Sequence, residues 1–315
     1  MIKLKKQLAE TGVLGINRRN AEYTMKYNSR HRYPLVDDKL RTKKLALKAG
    51  IAVPELYGVI ETEYEVRNLA HLVQSYPDFV IKPSRGSGGR GILVISGRSK
   101  EMFRKADGVL MNRDEVEYHL FNVISGLYSL GGQPDKALIE YRVQFDPVFE
   151  AISYQGVPDI RVIVFLGVPV MSMVRLPTRM SGGKANLHQG AIGAGIDITS
   201  GKTLTAVWKN NIISEHPDTG NQVTGVTIPN WDALLNIAAR HFELTGLGYI
   251  GVDLVLDKDK GPLILEVNAR PGLNIQIANR AGLLPRLKLV EQHHTELVNL
   301  DDRVEFSKHN FEHSR

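Results

Sequence analysis

The sequence predicts an α+β chain in two lobes, and three observations predict it. At roughly 150 residues per domain, a chain of 315 residues makes about two domains. Strands and helices alternate along it, yet several neighbouring strands are joined by turns short enough only for antiparallel pairing. Hydrophobic residues make up 43% and charged residues 23%, a globular balance that excludes disorder and fibrous folds. The hairpins argue against a doubly wound parallel sheet.

The elements follow in order. Lys3 to Glu10 reads as a solvated basic helix, and the stretch to residue 38 as irregular and polar. Asp37 or Asp38 can cap a helix over 39–49 that Gly50 stops, because aspartate satisfies free amides at a helix start and glycine turns the chain at its end. A strand is expected near 56–61 and a helix over 63–75. Phe79–Pro83 is β-rich, then comes a glycine cluster, then a second strand, Ile92–Ser96. Residues 113–130 are amphipathic and helical; Ala137–Val143 is a strand. Residues 160–166 and 168–175 form a hairpin turned at Gly167, and 178–195 is a glycine-rich loop. A helix over 231–246 precedes a second hairpin, 249–257 with 262–268. The last helix is 284–299, and the tail from about 303 reads as frayed.

Composition excludes several functions. With no cysteine, disulfides, thiolate zinc sites and cysteine nucleophiles are ruled out. No apolar run reaches the 18–20 residues of a membrane helix. The amino end is basic but has no apolar core, which argues against a secretory signal, so a cytoplasmic protein is expected. The net charge is +6. Residues 1–50 hold 13 Lys/Arg against 4 Asp/Glu, a local +9 that leaves about −3 for the rest. A basic end suits nucleic acid, an anionic surface or a phosphorylated ligand. No zinc-finger spacing or RNA-binding signature accompanies it, so nucleic acid is not the expected partner.

Gly86-Ser87-Gly88-Gly89-Arg90-Gly91 matches G-x-G-x-x-G in form. A Rossmann reading needs that motif to open a helix, whereas here a strand follows. No Gly-Lys-Ser/Thr closes it as a Walker A loop, and no H-R-D or D-F-G supports a protein kinase. What remains is a flexible hairpin tip between strands. Glycine reaches positive φ without a Cβ in the way, so such a tip can wrap its amides around phosphate. An ordinary flexible hairpin is the alternative.

Asp253 and Glu266 carry the strongest chemical signal. With a four-residue loop at 258–261, residue 257 faces 262 and Asp253 faces Glu266 on one sheet face, their Cβ atoms about 5 Å apart. Asn268, two residues on, shares that face. The flanking Val, Leu and Ile bury it. Two ionised carboxylates there repel, so a proton or a cation must sit between them. Three hard oxygen donors without His or Cys suit Mg²⁺. A shared proton, or a one-residue change of register, is the alternative.

Lys39, Lys82-Pro83, the glycine hairpin, Ile139-Glu140-Tyr141, Asp253, Glu266-Val-Asn268 and Pro271-Gly272, in this order, resemble the ATP-grasp superfamily. Asp159-Ile-Arg161, Val252-Asp253 and Asn186-Leu-His188-Gln-Gly190 resemble segments of the RimK-type α-L-glutamate ligases. The resemblance covers roughly 37–299. It implies an ATP-grasp fold with the nucleotide at the crease of two lobes, 39–136 and 137–300, between an N-terminal segment (1–38) and a polar tail (301–315). It implies ATP and one or two Mg²⁺ ions, or Mn²⁺, as cofactors. Lys39 and Lys82 would then contact the phosphates, and Ser84, Gly86, Ser87, Gly88, Gly89 and Gly91 would close over them. Glu140 and the backbone at Tyr141 and Val143 would hold adenine, Asp159 the ribose, and Asp253, Glu266 and Asn268 the metal. Arg161, Arg175 and Arg270 would face the acyl phosphate or a carboxylate. Asn186, His188 and Gln189 would line the acceptor loop, and Arg18 and Arg19 would serve the substrate.

Three departures from the family pattern matter. The usual domain ahead of the ATP-binding lobes is truncated to about 38 residues, which suggests a homodimer or a partner protein supplying that platform. Arg270 stands where many members have serine, and Gln189 where the loop has arginine. The implied activity is an ATP-dependent carboxylate–amine ligase that passes through an acyl phosphate and adds glutamate or a similar amino acid to an acidic acceptor. An ATP-grasp phosphotransferase and a nucleotide-binding module without turnover are the alternatives.

Overall fold

The computed structural model describes residues 11–86 and 88–312. The expected helix Lys3–Glu10 and Ser87 lie outside them. The chain divides into two compact units, one of residues 38–44 and 53–144, the other of 1–37, 45–52 and 145–315.

The smaller unit holds a six-stranded antiparallel sheet. Its strands are β1 (Leu56–Ile60), β2 (Phe79–Pro83), β3 (Leu93–Ser99), β4 (Met102–Lys105), β5 (Leu110–Met111) and β6 (Ala137–Glu140), in the order β1-β6-β2-β3-β4-β5. Helix α1 (Lys39–Lys48) starts as expected, with the amides of Leu40 and Arg41 on Asp38 Oδ1 at 3.0 and 3.2 Å, and Gly50 turns at φ 69°. The helix expected over 63–75 is two short ones, Glu63–Arg67 and Leu69–Leu72. α2 (Arg113–Ile124) ends earlier than expected. An Asn112/Glu115 capping box opens it, and Val116, Leu120 and Val123 are buried with Phe79, Ile81, Ile95 and Phe103. Each fully buried Val, Leu or Phe is worth about 1.5–3 kcal/mol, so this cluster anchors the strand that carries Lys82.

The larger unit holds a seven-stranded sheet of β7 (Asp159–Phe165), β8 (Val168–Leu176), β9 (Ile192–Ile196), β10 (Thr203–Trp208), β11 (Asn211–Ile213), β12 (Tyr249–Asp257) and β13 (Gly261–Asn268). Their order is β11-β10-β9-β8-β7-β12-β13. The β7–β8 hairpin turns at Leu166 and Gly167, φ 48° and 82°, a two-residue turn whose positive φ values match the strand twist. Helix α3 (Trp231–Thr245) packs on β7, β8 and β12. α4 (Leu284–His293) is shorter than expected, and α5 (Leu300–Asn310) replaces the frayed tail. Its Val304 and Ser307 are buried, and Asn299 caps it. Polarity hid this helix, because only a narrow stripe of it is apolar.

Residues 11–37 are helical where an irregular stretch was expected, with turns over Ile16–Tyr27 and at Pro34–Asp37. Tyr23 and Tyr27 pack against Phe165, their ring centroids 5.5 and 4.9 Å away. Asn28 accepts the Tyr249 amide at 2.8 Å and donates to the carbonyls of Tyr249 and Ala269 at 2.6 and 2.9 Å. Among the described residues, no helix is long and apolar enough to cross a membrane.

Candidate functional site

In the smaller unit the glycine segment leaves β2 at Pro83. Ser84 is buried and donates to Asp38 Oδ1 at 2.7 Å. The Arg85 amide donates to Asp135 at 2.9 Å, and Gly86 pairs with Ser129. Gly88, Gly89 and Gly91 have φ of 64°, 74° and 74°, the left-handed region that L residues avoid. A Cβ on Gly91 would lie 2.5 Å from the Tyr128 ring. His119 sits 3.0 Å from the Gly91 carbonyl. A carbonyl only accepts, so His119 Nε2 carries the proton there.

Lys39 donates to the Gly86 carbonyl at 2.6 Å. Lys82 and Glu140 lie on one face, since Lys82 pairs with Leu138 and Val80 with Glu140. Their side chains form a buried ion pair, and Lys43 joins it at 2.8 Å from Glu140 Oε2. Burial holds the Lys43 ammonium down at about 8, with Lys82 adding to the shift and Glu140 opposing it. Lys43 went unnoticed in the sequence, although it follows Lys39 by one helical turn on the same stripe. Two lysines engage the Glu140 carboxylate, and the Tyr141 amide is bonded to the Glu55 carbonyl at 2.8 Å. Val143 is buried.

In the larger unit, strand pairing assembles a polar face. Asp159 pairs with Arg175, Arg161 with Asp253, and Asp253 with Glu266. The Asp253–Glu266 opposition is as expected, but by another route. The turn is one residue shorter, with Asp257 facing Gly261, and one extra residue, Leu265, restores the offset. Asp257 Oδ1 accepts the amides of Asp259 and Lys260, both at 3.0 Å, and Gly261 has φ 70°. A left-handed glycine directly after the three-residue loop turns the chain into β13.

Arg161 chelates Asp253, Nε to Oδ1 at 2.7 Å and Nη2 to Oδ2 at 2.6 Å. Arg175 chelates Asp159 at 2.5 and 2.6 Å and reaches Asp253 Oδ2 at 2.8 Å. Burial opposes ionisation of Asp253, yet the two guanidiniums overcome it and hold the carboxyl down at about 2. Burial and the neighbouring Asp253 raise Asp159 to about 6 against the pull of Arg175. Both oxygens of Asp159 orient Arg175.

The remaining expected residues are placed as follows. Asn186 Oδ1 accepts the His188 amide at 3.0 Å and shapes the loop; His188 is exposed and Gln189 half-buried. The loop's two feet are clamped by residues not singled out in the sequence. His216 donates to the Pro177 carbonyl at 2.9 Å, Asp218 accepts the Arg179 amide at 2.7 Å, and Trp208 donates to the Gly190 carbonyl at 2.8 Å. Arg270 lies over the Tyr33 ring at 5.2 Å and 3.9 Å from Asp37. Arg18 pairs with Glu22 at 2.7 Å on the surface. Arg19 is buried and donates to the Pro271 carbonyl at 2.6 Å, so it clamps the turn after Asn268.

The model of the sugar-transfer associated ATP-grasp family matches residues 18–292. The chain belongs to this ATP-grasp family. It is 26% identical over 236 residues, 75% of its length, to a probable alpha-L-glutamate ligase of Maridesulfovibrio salexigens. It is 24% identical over 251 residues, 78% of its length, to one of Pseudomonas putida. The matches span 56% and 61% of those proteins. A biotin carboxylase–β-γ-ATP complex from Campylobacter jejuni shares the fold at a TM-score of 0.53 and 15% identity, covering 86% of this chain and 49% of that one.

Whether this ATP-grasp chain suits a divalent metal is a question of donors. Asn268 Nδ2 lies 3.3 Å from both Asp253 Oδ2 and Glu266 Oε1, so three oxygen-bearing heads converge on one patch. An amide turned end for end presents its oxygen there. The donor set is hard and fits Mg²⁺ or Mn²⁺. Among the described residues, no cluster of three His, Cys, Asp or Glu offers another metal site.

Proposed function

We propose that this chain is an ATP- and Mg²⁺-dependent carboxylate–amine ligase that forms an amide through an acyl phosphate. The observation that carries the reading is the buried face on which Arg161 and Arg175 meet Asp253 beside Glu266 and Asn268. Such a face supplies both things the reaction needs: donors for a metal on the polyphosphate, and rigid guanidiniums for oxygens that gain charge.

The chemistry follows from the leaving group. A carboxylate resists an amine because oxide would have to leave. Transfer of the γ-phosphoryl to it gives an acyl phosphate, from which phosphate leaves when the amine attacks. Asp253, Glu266 and Asn268 would hold Mg²⁺, which neutralises phosphate charge when bound. Lys39, Lys82 and Lys43 supply the ammonium charges for the polyphosphate, and the glycine hairpin supplies amides. Arg161 and Arg175 would steady the oxygens of the phosphoryl group and the acyl carbon, and Arg270, held over Tyr33, would take a substrate carboxylate. The names of the curated relatives favour glutamate as the added amino acid, and the basic amino end favours an acidic acceptor.

The test is ADP release from Mg-ATP with a panel of amino acids and acidic peptides, with mass spectrometry of the mixture and Asp253→Asn as control. A condensation mass that needs one particular pair supports the ligase. A stable phosphorylated product instead supports a phosphotransferase, and tight nucleotide binding without turnover supports a binding module.

A further inference from the structure

In the smaller unit two ammoniums are buried on one carboxylate. Lys43, Lys82 and Glu140 are 5%, 6% and 3% exposed. Lys82 Nζ pairs with Glu140 Oε1, and Lys43 Nζ lies 2.8 Å from Oε2, so each ammonium has an oxygen of its own. The charges that act on Lys43 are those of Glu140 and Lys82. Two positive charges and one negative charge leave the trio with an excess of one, held away from water. Such an excess is costly to bury and favours the arrival of an anion.

The two ammoniums are not equivalent. Lys43 also donates to the Pro54 carbonyl. Its helix is fixed at the start, where the Lys39 amide donates to the Ser84 carbonyl at 2.9 Å. Among the described residues, Glu140 is the sole partner of Lys82. Lys82 also stands near the end of β2, two residues before Ser84, where the glycine segment begins. Lys82 is therefore the ammonium that can turn to a phosphate, and Lys43 the one that stays. When Lys82 turns, it gives up its ion pair. A buried carboxylate that loses its only counter-charge is strongly destabilised, whereas Glu140 would keep a second ammonium 2.8 Å away.

We infer that Lys43 is a positioning residue for phosphate binding: it is the standing counter-ion of Glu140, and its presence releases Lys82 to a phosphate oxygen. The inference rests on the nucleotide reading above and divides the work between two buried lysines. Lys43 serves the polyphosphate through Glu140 and not by contact. A lysine with only a structural role would tie α1 to Glu140 and Pro54 and have no effect on how Lys82 is shared.

The experiment is calorimetric titration of the full chain with ATP and with adenosine, both in Mg²⁺. The ratio of the two affinities isolates the phosphate side from any contact with adenine. In Lys43→Met, Lys82 faces Glu140 alone, and phosphate must compete with that carboxylate. The ratio should fall at least fivefold. Adding Glu140→Gln removes the competitor and should recover at least threefold of the fall, whereas Glu140→Gln in the unaltered chain should not raise the ratio. Lys43→Gln serves in the same way should Lys43→Met fail to fold. A smaller fall, a smaller recovery, or an equal rise from Glu140→Gln with and without Lys43 overturns the inference and leaves the nucleotide reading standing. An unaltered chain that binds ATP no more tightly than adenosine overturns the nucleotide reading and the inference together.

Discussion

Replacing Asp253 by asparagine separates the structural from the chemical role of this carboxylate. The change keeps the side-chain shape and removes the charge. Three guanidinium N–H groups at 2.6–2.8 Å converge on Asp253. Removing one partner of a buried ion pair costs about 3–5 kcal/mol, because the other partner stays buried and uncompensated. The asparagine oxygen still accepts one of the three bonds, worth about 1.5–3 kcal/mol to a charged donor. The net loss is therefore about 2 kcal/mol, which lowers the midpoint of a unit of this size by roughly 4–8 °C. The assay is thermal and urea unfolding of Asp253→Asn beside the unaltered chain, with ADP release measured well below the midpoint. A double replacement, Arg161→Met with Asp253→Leu, tests the ion-pair argument. It should be more stable than either single variant, because Arg161 and Asp253 leave together and Arg175 keeps its two bonds to Asp159. It should still release no ADP. An Asp253→Asn chain as stable as the original refutes the ion-pair argument, and one that keeps ADP release refutes the metal assignment.

Two further outcomes follow. His241 is buried in α3 with Nδ1 2.8 Å from the Ile237 carbonyl, and burial holds its imidazole down at about 4. Its folded value lies below the unfolded one, so its contribution is complete above pH 6.5 and is lost as pH falls; by pH 4 the loss is about 3 kcal/mol. Urea unfolding between pH 7 and pH 4 should show that slope as the difference between this chain and His241→Leu, because Asp159, raised to about 6, titrates with the opposite sign in both; an equal slope in both chains refutes the assignment. Gly91→Ala meets both a left-handed φ and the Tyr128 ring, a strain of about 1–3 kcal/mol in the hairpin. Its affinity for ATP should fall about tenfold while that for adenosine stays within about twofold, and calorimetric titration of each reads this. An equal loss for both ligands would mean that the hairpin does not act on phosphate.

The sequence by itself determined what local pattern can encode. Period-two alternation and turn chemistry place the β7–β8 and β12–β13 hairpins, and with the second the neighbours Asp253 and Glu266. Asp38 and Gly50 mark the ends of α1. Weak or mixed patterns escaped. β9 is Ile192-Gly-Ala-Gly-Ile, where glycine erases the β signal, and α5 carries too few apolar residues to announce a helix. Tertiary structure alone decided which hairpins lie side by side. Arg161 reaches Asp253 only because β7 pairs with β12, a contact 92 residues apart in sequence, and no local propensity specifies that pairing. Lys43 and Glu140 meet for the same reason, as do Asn28 and the end of β12. A residue's type and spacing announce its chemistry, but its partner is chosen by which apolar faces pack together. That is why the opposed carboxylates of this chain were legible in the sequence, whereas the pairing of Arg161 and Arg175 with Asp253 was not.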